Sequence, residues 1–404
     1  MILKLIWRNL WRNSRRTLIT VASIAFAVLF AILMKSFQNG VFKNLIKNVV
    51  GYYSGYVQIH QKGYWDEQVL DNSFVVESSL IPQLQQNANI KVIVPRLETF
   101  VLASKGNTSK GCLLVGTDPV NENKLTHLKD KLIKGSYFEN NEEAVLLAEG
   151  MAKRLEVSVN DTIVLFGQGF HGVMAAGKYK IKGIIHLAAP AMNDSFVYLP
   201  LGATQYFLGA ENRLTSISLG IDDSKNTNAI AKKVKSRIGQ KYEVMPWQEL
   251  MPEISNHIKA DSFSFYVFSG ILYIIIGFGL FGTVLMMTAE RKYEFGMLIA
   301  IGMKKSKLEL VLLGETLFIT LFGVILGIVL SLPLVIYLKE NPIRFGGQMA
   351  KAYEQFGFEA LFPTDFDPNI FITQSLIVLA MAVLIGLYPL WHVSGLDPVK
   401  TMKK

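Results

Sequence analysis

Residues Thr17–Met34 read TLITVASIAFAVLFAILM, a run without Asp, Glu, Lys or Arg. About 20 apolar helical residues cross a bilayer core of about 30 Å. Only structures that close their own backbone hydrogen bonds survive in lipid, so the run reads as a membrane-spanning helix. Three more such runs crowd the far end of the chain: Ser262–Ala289, Leu310–Leu338 (interrupted by Glu315 alone) and Pro368–Leu396. A long polar insert separates the first run from the second. The expected fold class is a membrane α-helical protein with four transmembrane helices. A large extracytoplasmic α/β (α+β) domain is inserted between the first and second helices.

Half of the residues are apolar, 18% are charged and mean hydropathy is positive, as suits membrane helices joined to one soluble domain. The net charge of +9 could point to nucleic acid, but its placement argues against that. Lys4, Arg8, Arg12, Arg15 and Arg16 precede the first span without an acid. Arg291, Lys292, Lys304, Lys305 and Lys307 lie between the second and third spans, and Lys400, Lys403 and Lys404 follow the fourth. The segment Lys339–Asp367 instead holds three basic and five acidic residues. Basic short loops stay in the cytoplasm, which places both termini inside and the insert outside. The first run is longer than a signal-peptide core and lacks a small-x-small site before Lys35, so it reads as an uncleaved anchor. The single cysteine, Cys112, excludes an intramolecular disulfide framework.

Ile2, Leu3, Ile6, Trp7, Leu10 and Trp11 form one helical stripe opposite Lys4, Arg8 and Arg12, the pattern of a helix lying in the membrane interface. Apolar residues continue past Met34 at helical spacing through Phe37, Val41, Phe42, Leu45, Ile46, Val49 and Val50. A matching stripe, Trp247, Leu250, Met251, Ile254 and Ile258, leads into the second span. The two stripes predict a stalk, with Pro252 in an early turn or at a kink. In the insert, strands are expected at 56–60, 91–95, 111–116, 143–147, 162–166, 179–185, 195–199, 215–221 and 241–245. Helices are expected at 79–87, 149–155 and 226–238.

The expected division is therefore an interfacial helix at 1–16, the first span and stalk at 17–50, and an extracytoplasmic domain at 51–246. That domain comprises an α/β lobe (51–115 and 206–246) and an inserted β-rich lobe (116–205). Stalk and second span occupy 247–290, a cytoplasmic coupling helix 291–309 and the third span 310–338. An outer loop at 339–367, the fourth span at 368–396 and a cytoplasmic tail at 397–404 complete the chain.

Gly172-Val-Met-Ala-Ala-Gly177-Lys178-Tyr179 nearly spells a phosphate-binding loop. Tyr179 replaces the hydroxyl that would hold magnesium, and a strand rather than a helix follows, so the segment reads as a hairpin. The six histidines show no metal-ligand spacing and no nucleophile elbow occurs. No metal site, bound cofactor or catalytic residue is expected. Glu315, an acid inside a span, needs a partner, expected to be an arginine or lysine of the basic loops. Gly323 and Gly327 permit close helix packing, within the chain or between copies.

Arg291-Lys-Tyr-Glu294-Phe295-Gly296-Met-Leu-Ile-Ala300-Ile-Gly302 leaves the membrane with charge and ends on a glycine cap signal. This segment resembles the R-x-x-E-[FI]-G-x-[LM]-x-A-[IL]-G signature of the FtsX-like permeases, membrane subunits of type VII ABC systems. The basic Arg8–Arg16 segment and the terminal Asp397-Pro398 match as well. Gly116-Thr-Asp118-Pro119 with Gly135 and Leu146-Leu147-Ala148-Glu149 is similar to the lipoprotein-releasing LolC/LolE type. The resemblance implies a permease of the bacterial inner membrane that works with a second copy or paralogue and with a separate cytoplasmic ABC ATPase holding ATP and Mg. Arg291, Glu294, Phe295, Gly296, Ala300 and Gly302 would meet that ATPase, with Arg8, Arg12, Arg15, Asp397 and Pro398 at the same interface. Lipoprotein or amphiphilic cargo would be lined by Phe30, Met34, Phe37, Phe263, Tyr266 and Phe268, with a periplasmic acceptor beyond. Efflux of peptides or drugs, or signalling to a wall hydrolase, are the other activities open to such a chain.

Overall fold

The computed structural model describes residues 2–12, 14–222, 226–344, 346–348, 350 and 361–394, with the backbone alone at 48, 49, 52 and 390–394. The chain divides into two compact units. One comprises residues 1–43, 258–344 and 361–404, the other residues 44–257 and 345–360.

The first unit is helical. Helix α1 (Ile2–Arg12) is followed by α2 (Ser14–Val49), and among the described residues four helices are long and apolar enough to cross a membrane. Besides α2 these are α8 (Pro252–Glu290), α10 (Lys305–Glu340) and α11 (Pro368–Ser394). Pro252 occupies the first position of α8, where no backbone donor is lost. The glycines at 323 and 327 serve intrachain packing. A Cβ at Gly323 would lie 2.6 Å from Ile24, and one at Gly327 2.8 Å from the Ala25 carbonyl oxygen and from Val28. Buried Ile24, Val28, Ile32, Ile319 and Val324 fill this contact between α2 and α10. Where α2 passes Pro363–Asp365, Gly40 allows the backbones to touch and Lys43 donates to Asp365 at 2.6 Å. Two short strands, Ile343–Arg344 and Leu361–Phe362, pair in the loop before α11.

The second unit is built on a sheet of ten strands, beside which Phe74–Val75 pairs with Arg213–Leu214. The ten are β1 (Val57–Gln61), β2 (Ile90–Lys105), β3 (Thr108–Thr117), β4 (Leu132–Gly135), β5 (Ala144–Ala148), β6 (Thr162–Gln168), β7 (Met174–Ile185), β8 (Phe196–Pro200), β9 (Ser216–Ile221) and β10 (Tyr242–Pro246). Their order is β10-β1-β9-β2-β3-β8-β5-β7-β4, and β6 bridges β2 and β7. The pairing β2-β3-β8-β5-β7-β6-β2 thus closes into a ring around a core that includes Leu97, Leu114, Leu146, Ile163, Ile181 and Val197. The open sheet β10-β1-β9-β2 packs Val57, Ile59, Ile217 and Leu219 under helices α3 (Leu80–Gln85) and α7 (Thr227–Ile238).

Several expectations need correcting here. The lobes do not part at 115/116, because β2 is 16 residues long and serves both cores, with Arg96 at the changeover. The strand expected at 91–95 runs on to Lys105, with Pro95 inside the ladder opposite Ile217. Helices α4 (Pro119–Thr126) and α6 (Leu201–Leu208) were not anticipated, although Asp118 caps α4 through the Asn121 amide at 2.7 Å and Pro119 opens it. Gly177 and Lys178 lie within strand β7, while the hairpin turn falls at 169–173. Helix α5 (Glu149–Leu155) lies where its sequence places it.

Candidate coupling site

Helix α9 (Lys292–Ala300) connects α8 to α10 at the basic end of the membrane unit. Its stop is chemically explicit. Gly302 donates to the Ile299 carbonyl and Met303 to the Leu298 carbonyl, both at 3.0 Å, and Gly302 has φ +102°. These are the two bonds of a Schellman cap, which asks for glycine. Phe295 is fully buried against Leu308 and Leu312 of α10, and Gly296 is buried beside it, so one face of α9 is anchored. Ala300, Gly302, Tyr293 and Met297 remain exposed on the other.

An ionic network joins α9 to its neighbours. Arg12 of α1 donates from Nη2 to both carboxylate oxygens of Glu294 at 2.7 Å. Arg291 donates to Glu294 at 3.3 Å and to Glu315 at 2.6 Å. Asn9 donates to the other Glu315 oxygen at 2.7 Å, which completes a buried carboxylate on α10. Arg16 of α2 pairs with Glu290 at the end of α8 and reaches the Thr283 carbonyl at 3.1 Å. The bond from Arg12, helped by Arg291, holds the Glu294 carboxyl below the usual range. One small helix is therefore tied by charge to α1 and α10 and by the chain to α8 and α10.

Helix α1 does not merely lie along an interface. Ile6 and Leu10 are buried, and Ile6 packs where Gly314 of α10 leaves room for it. Trp7 meets Phe322, with ring centroids 6.1 Å apart. Arg8 and Arg15 are exposed, and Asp397 and Pro398 lie outside the described residues. The third span begins at Lys305, five residues before Leu310, because Lys305 and Lys307 extend the helix rather than the loop. The pairing of Arg12 with Glu294 was not anticipated, since the two are far apart in sequence.

Of the six residues expected to line a cargo path, Phe30 alone lines a groove between α2 and α8. This groove of about 360 Å³ is walled by Phe26, Ala27, Leu272, Ile275 and Leu280. Met34 and Phe37 are half-buried, and Phe37 faces Phe362. Phe263, Tyr266 and Phe268 are exposed, with Lys35 Nζ lying 5.6 Å from the Tyr266 ring.

Comparison with known proteins gives this geometry a family. Residues 17–237 match the model of the MacB-like periplasmic core domain, and residues 266–398 match the C-terminal model of the FtsX-like permeases. The lipoprotein-releasing system transmembrane protein LolE of Haemophilus influenzae is 20% identical over 80% of both chains. An uncharacterised ABC transporter permease of Methanocaldococcus jannaschii is 19% identical over 67% of this chain and 65% of its own length. The macrolide export ATP-binding/permease protein MacB of Acinetobacter baylyi is 24% identical over 56% of this chain, which spans only 33% of that longer protein. The chain belongs to the FtsX-like permeases of ABC transporters, and its large insert is a MacB-like periplasmic core domain.

Proposed function

We propose that this chain transmits ATP hydrolysis on a separate cytoplasmic ATPase to its periplasmic domain, and that it works beside a second copy or paralogue. The observation that carries the reading is the tying of α9 to α1 and α10 through Arg12, Glu294, Arg291, Asn9 and Glu315. A push on α9 is then felt by three spans at once: α8 and α10 through the chain, and α2 through α1. The basic charge at this end supports a cytoplasmic position for α9 and both termini. ATP and Mg belong to the ATPase, and this chain supplies the lever. The second span is the least embedded, with 17% of its most apolar window buried against 39% in each of the others. Its free apolar surface suits lipid or a second permease.

The cargo reading is lipoprotein release from the inner membrane. Each acyl methylene moved into water costs about 0.8 kcal/mol, so extraction needs an apolar shelter as well as a motor. The groove bearing Phe30 supports such a shelter. Efflux of an amphiphilic drug is the second reading, favoured by the MacB-like match over more than half of the chain.

Glu294→Lys tests the coupling. It turns the Arg12 tie into repulsion on a surface helix and leaves both units' cores untouched. The variant should insert and fold but lose cargo-stimulated ATPase turnover. Full stimulated turnover with a normally bound ATPase would refute the assignment. A photo-crosslinker at Phe30 under ATP-trapping conditions distinguishes an acylated protein from a small amphiphile.

A further inference from the structure

Helix α2 ends in the second unit as a π-helical turn, Val50–Ser54, in which Gly55 donates to the Val50 carbonyl at 2.9 Å. Gly55, at φ +68°, then turns the chain into β1. Such wide turns are uncommon and frequently sit at functional sites. Here the turn is gripped at Tyr53. Arg96 donates from Nη1 to the Tyr53 carbonyl at 2.7 Å, and its guanidinium lies 4.7 Å from the Tyr53 ring centre. The Tyr53 hydroxyl donates to Glu98, and the ring meets Phe196 edge-on at 4.9 Å.

Arg96 is itself held. Its side chain and that of Glu122 are both fully buried, and they form a fork of two bonds at 2.7 and 2.9 Å. Thr117 adds a third bond to Glu122 at 2.8 Å. In the sheet Arg96 stands opposite Thr117 on β3 and Ser216 on β9, at the changeover between the two cores. A fully buried ion pair is poor value as a stabiliser, since apolar residues of equal volume often do as well or better. What the planar fork supplies is direction: two bonds lock the guanidinium and leave a third edge aimed at one carbonyl.

We propose that Arg96 is the positioning residue that fixes the rotational register of α2 on the sheet of the periplasmic domain, so that the helix moves the domain instead of slipping at its π-turn. The inference rests on the transmission reading above and names the joint through which it acts. Slippage by one residue would turn the helix by about 100°, which moves a side chain about 5 Å from the axis by about 8 Å.

The test uses the full chain in nanodiscs without ATPase or nucleotide. Spin labels replace Lys47 on α2 and Lys110 on β3, both exposed and both in the second unit, in a Cys112→Ala background. The parent should give one narrow distance. Arg96→Met with Glu122→Gln removes the fork without stranding a buried carboxylate at 122, and its distance should shift by several ångströms, up to about 8 Å, or split into two populations. Arg96→Lys keeps the charge without the fork, should show the same slippage in part, and serves if the double variant fails to fold. Folded variants that keep the parent distance would overturn the proposal. A shifted distance, in a parent transporter whose domain does not respond to ATP, would leave the joint standing and refute the transmission reading instead.

Discussion

Glu315 is the sharpest place to perturb the coupling site. Its carboxylate accepts from Asn9 and from Arg291, and its side chain is only 5% exposed. Glu315→Ala would leave Arg291, 18% exposed, paired with Glu294 at 3.3 Å. Removing one side of a buried pair costs about 3–5 kcal/mol. The Asn9 bond to a charged acceptor would by itself be worth about 1.5–3 kcal/mol, but it shares the carboxylate and so does not add in full. The loss is local to the elements that meet there. Amide protection in α1 and α9 should therefore fall by about two to three and a half orders of magnitude, with β2 and β9 unchanged. Hydrogen exchange of the full chain in detergent reads this directly. Glu315→Met with Arg291→Met should recover most of the protection, as apolar pairs of similar volume commonly do. Stimulated ATPase turnover should stay low in that variant if the pair serves coupling. Wild-type protection of α1 and α9 in Glu315→Ala would refute the claim that this carboxylate ties the helices together.

Gly323→Ala and Gly327→Ala each force α2 and α10 apart and should cost about 1–3 kcal/mol, seen as lowered unfolding midpoints. Gly282→Ala, with nothing within 4 Å of the added carbon, is the matched control and should not lower the midpoint, since alanine favours a helix over glycine. Burial pushes the Cys112 thiol up to about 12, so iodoacetamide at mildly alkaline pH should label it only after unfolding; rapid labelling of folded protein would contradict its placement. The depressed Glu294 carboxyl gives the α1–α9 tie a defined pH response. Its contribution is fully present above the ordinary carboxylate pKa and lost as pH falls through the lower folded value. Emission from Trp7 and Trp11 should accordingly be flat between about pH 6 and 8 and change only in strong acid.

The membrane unit was legible because lipid imposes a severe rule: long uncharged runs can only be helices, and four were counted. The start of the third span was misplaced because Lys305 and Lys307 read as loop, whereas long cationic side chains extend from a helix end into water. In the insert, alternation located the strands, but Pro95 hid the length of β2. In β1, apolar Val57 and Ile59 alternate with polar Gln58 and His60, which suggests one face in water. Both faces are buried, the polar one against Ser54, Thr215 and Ser218. Periodicity reports which residues share a face and is silent on what covers it.

The signature around α9 drew attention to Arg291 and Glu294, because charge leaving a membrane next to a glycine stop is a local pattern. The partners that give those residues meaning are not local: Arg12 lies 282 positions from Glu294, and Asn9 lies 306 from Glu315. Arg96 and Glu122 left less trace still, since charged residues are seldom fully buried and nothing nearby marks this pair. The difference follows from how each kind of contact is specified. Apolar contacts and small-residue stripes need only the right residue class on a face, which repeats along the chain and can be counted. A buried charge needs one particular partner at one angle, and the fold alone supplies it. The elements tied by such charges, α9 to α1 and α10 and the end of α2 to β2, are the ones that the proposed movement must link without slipping.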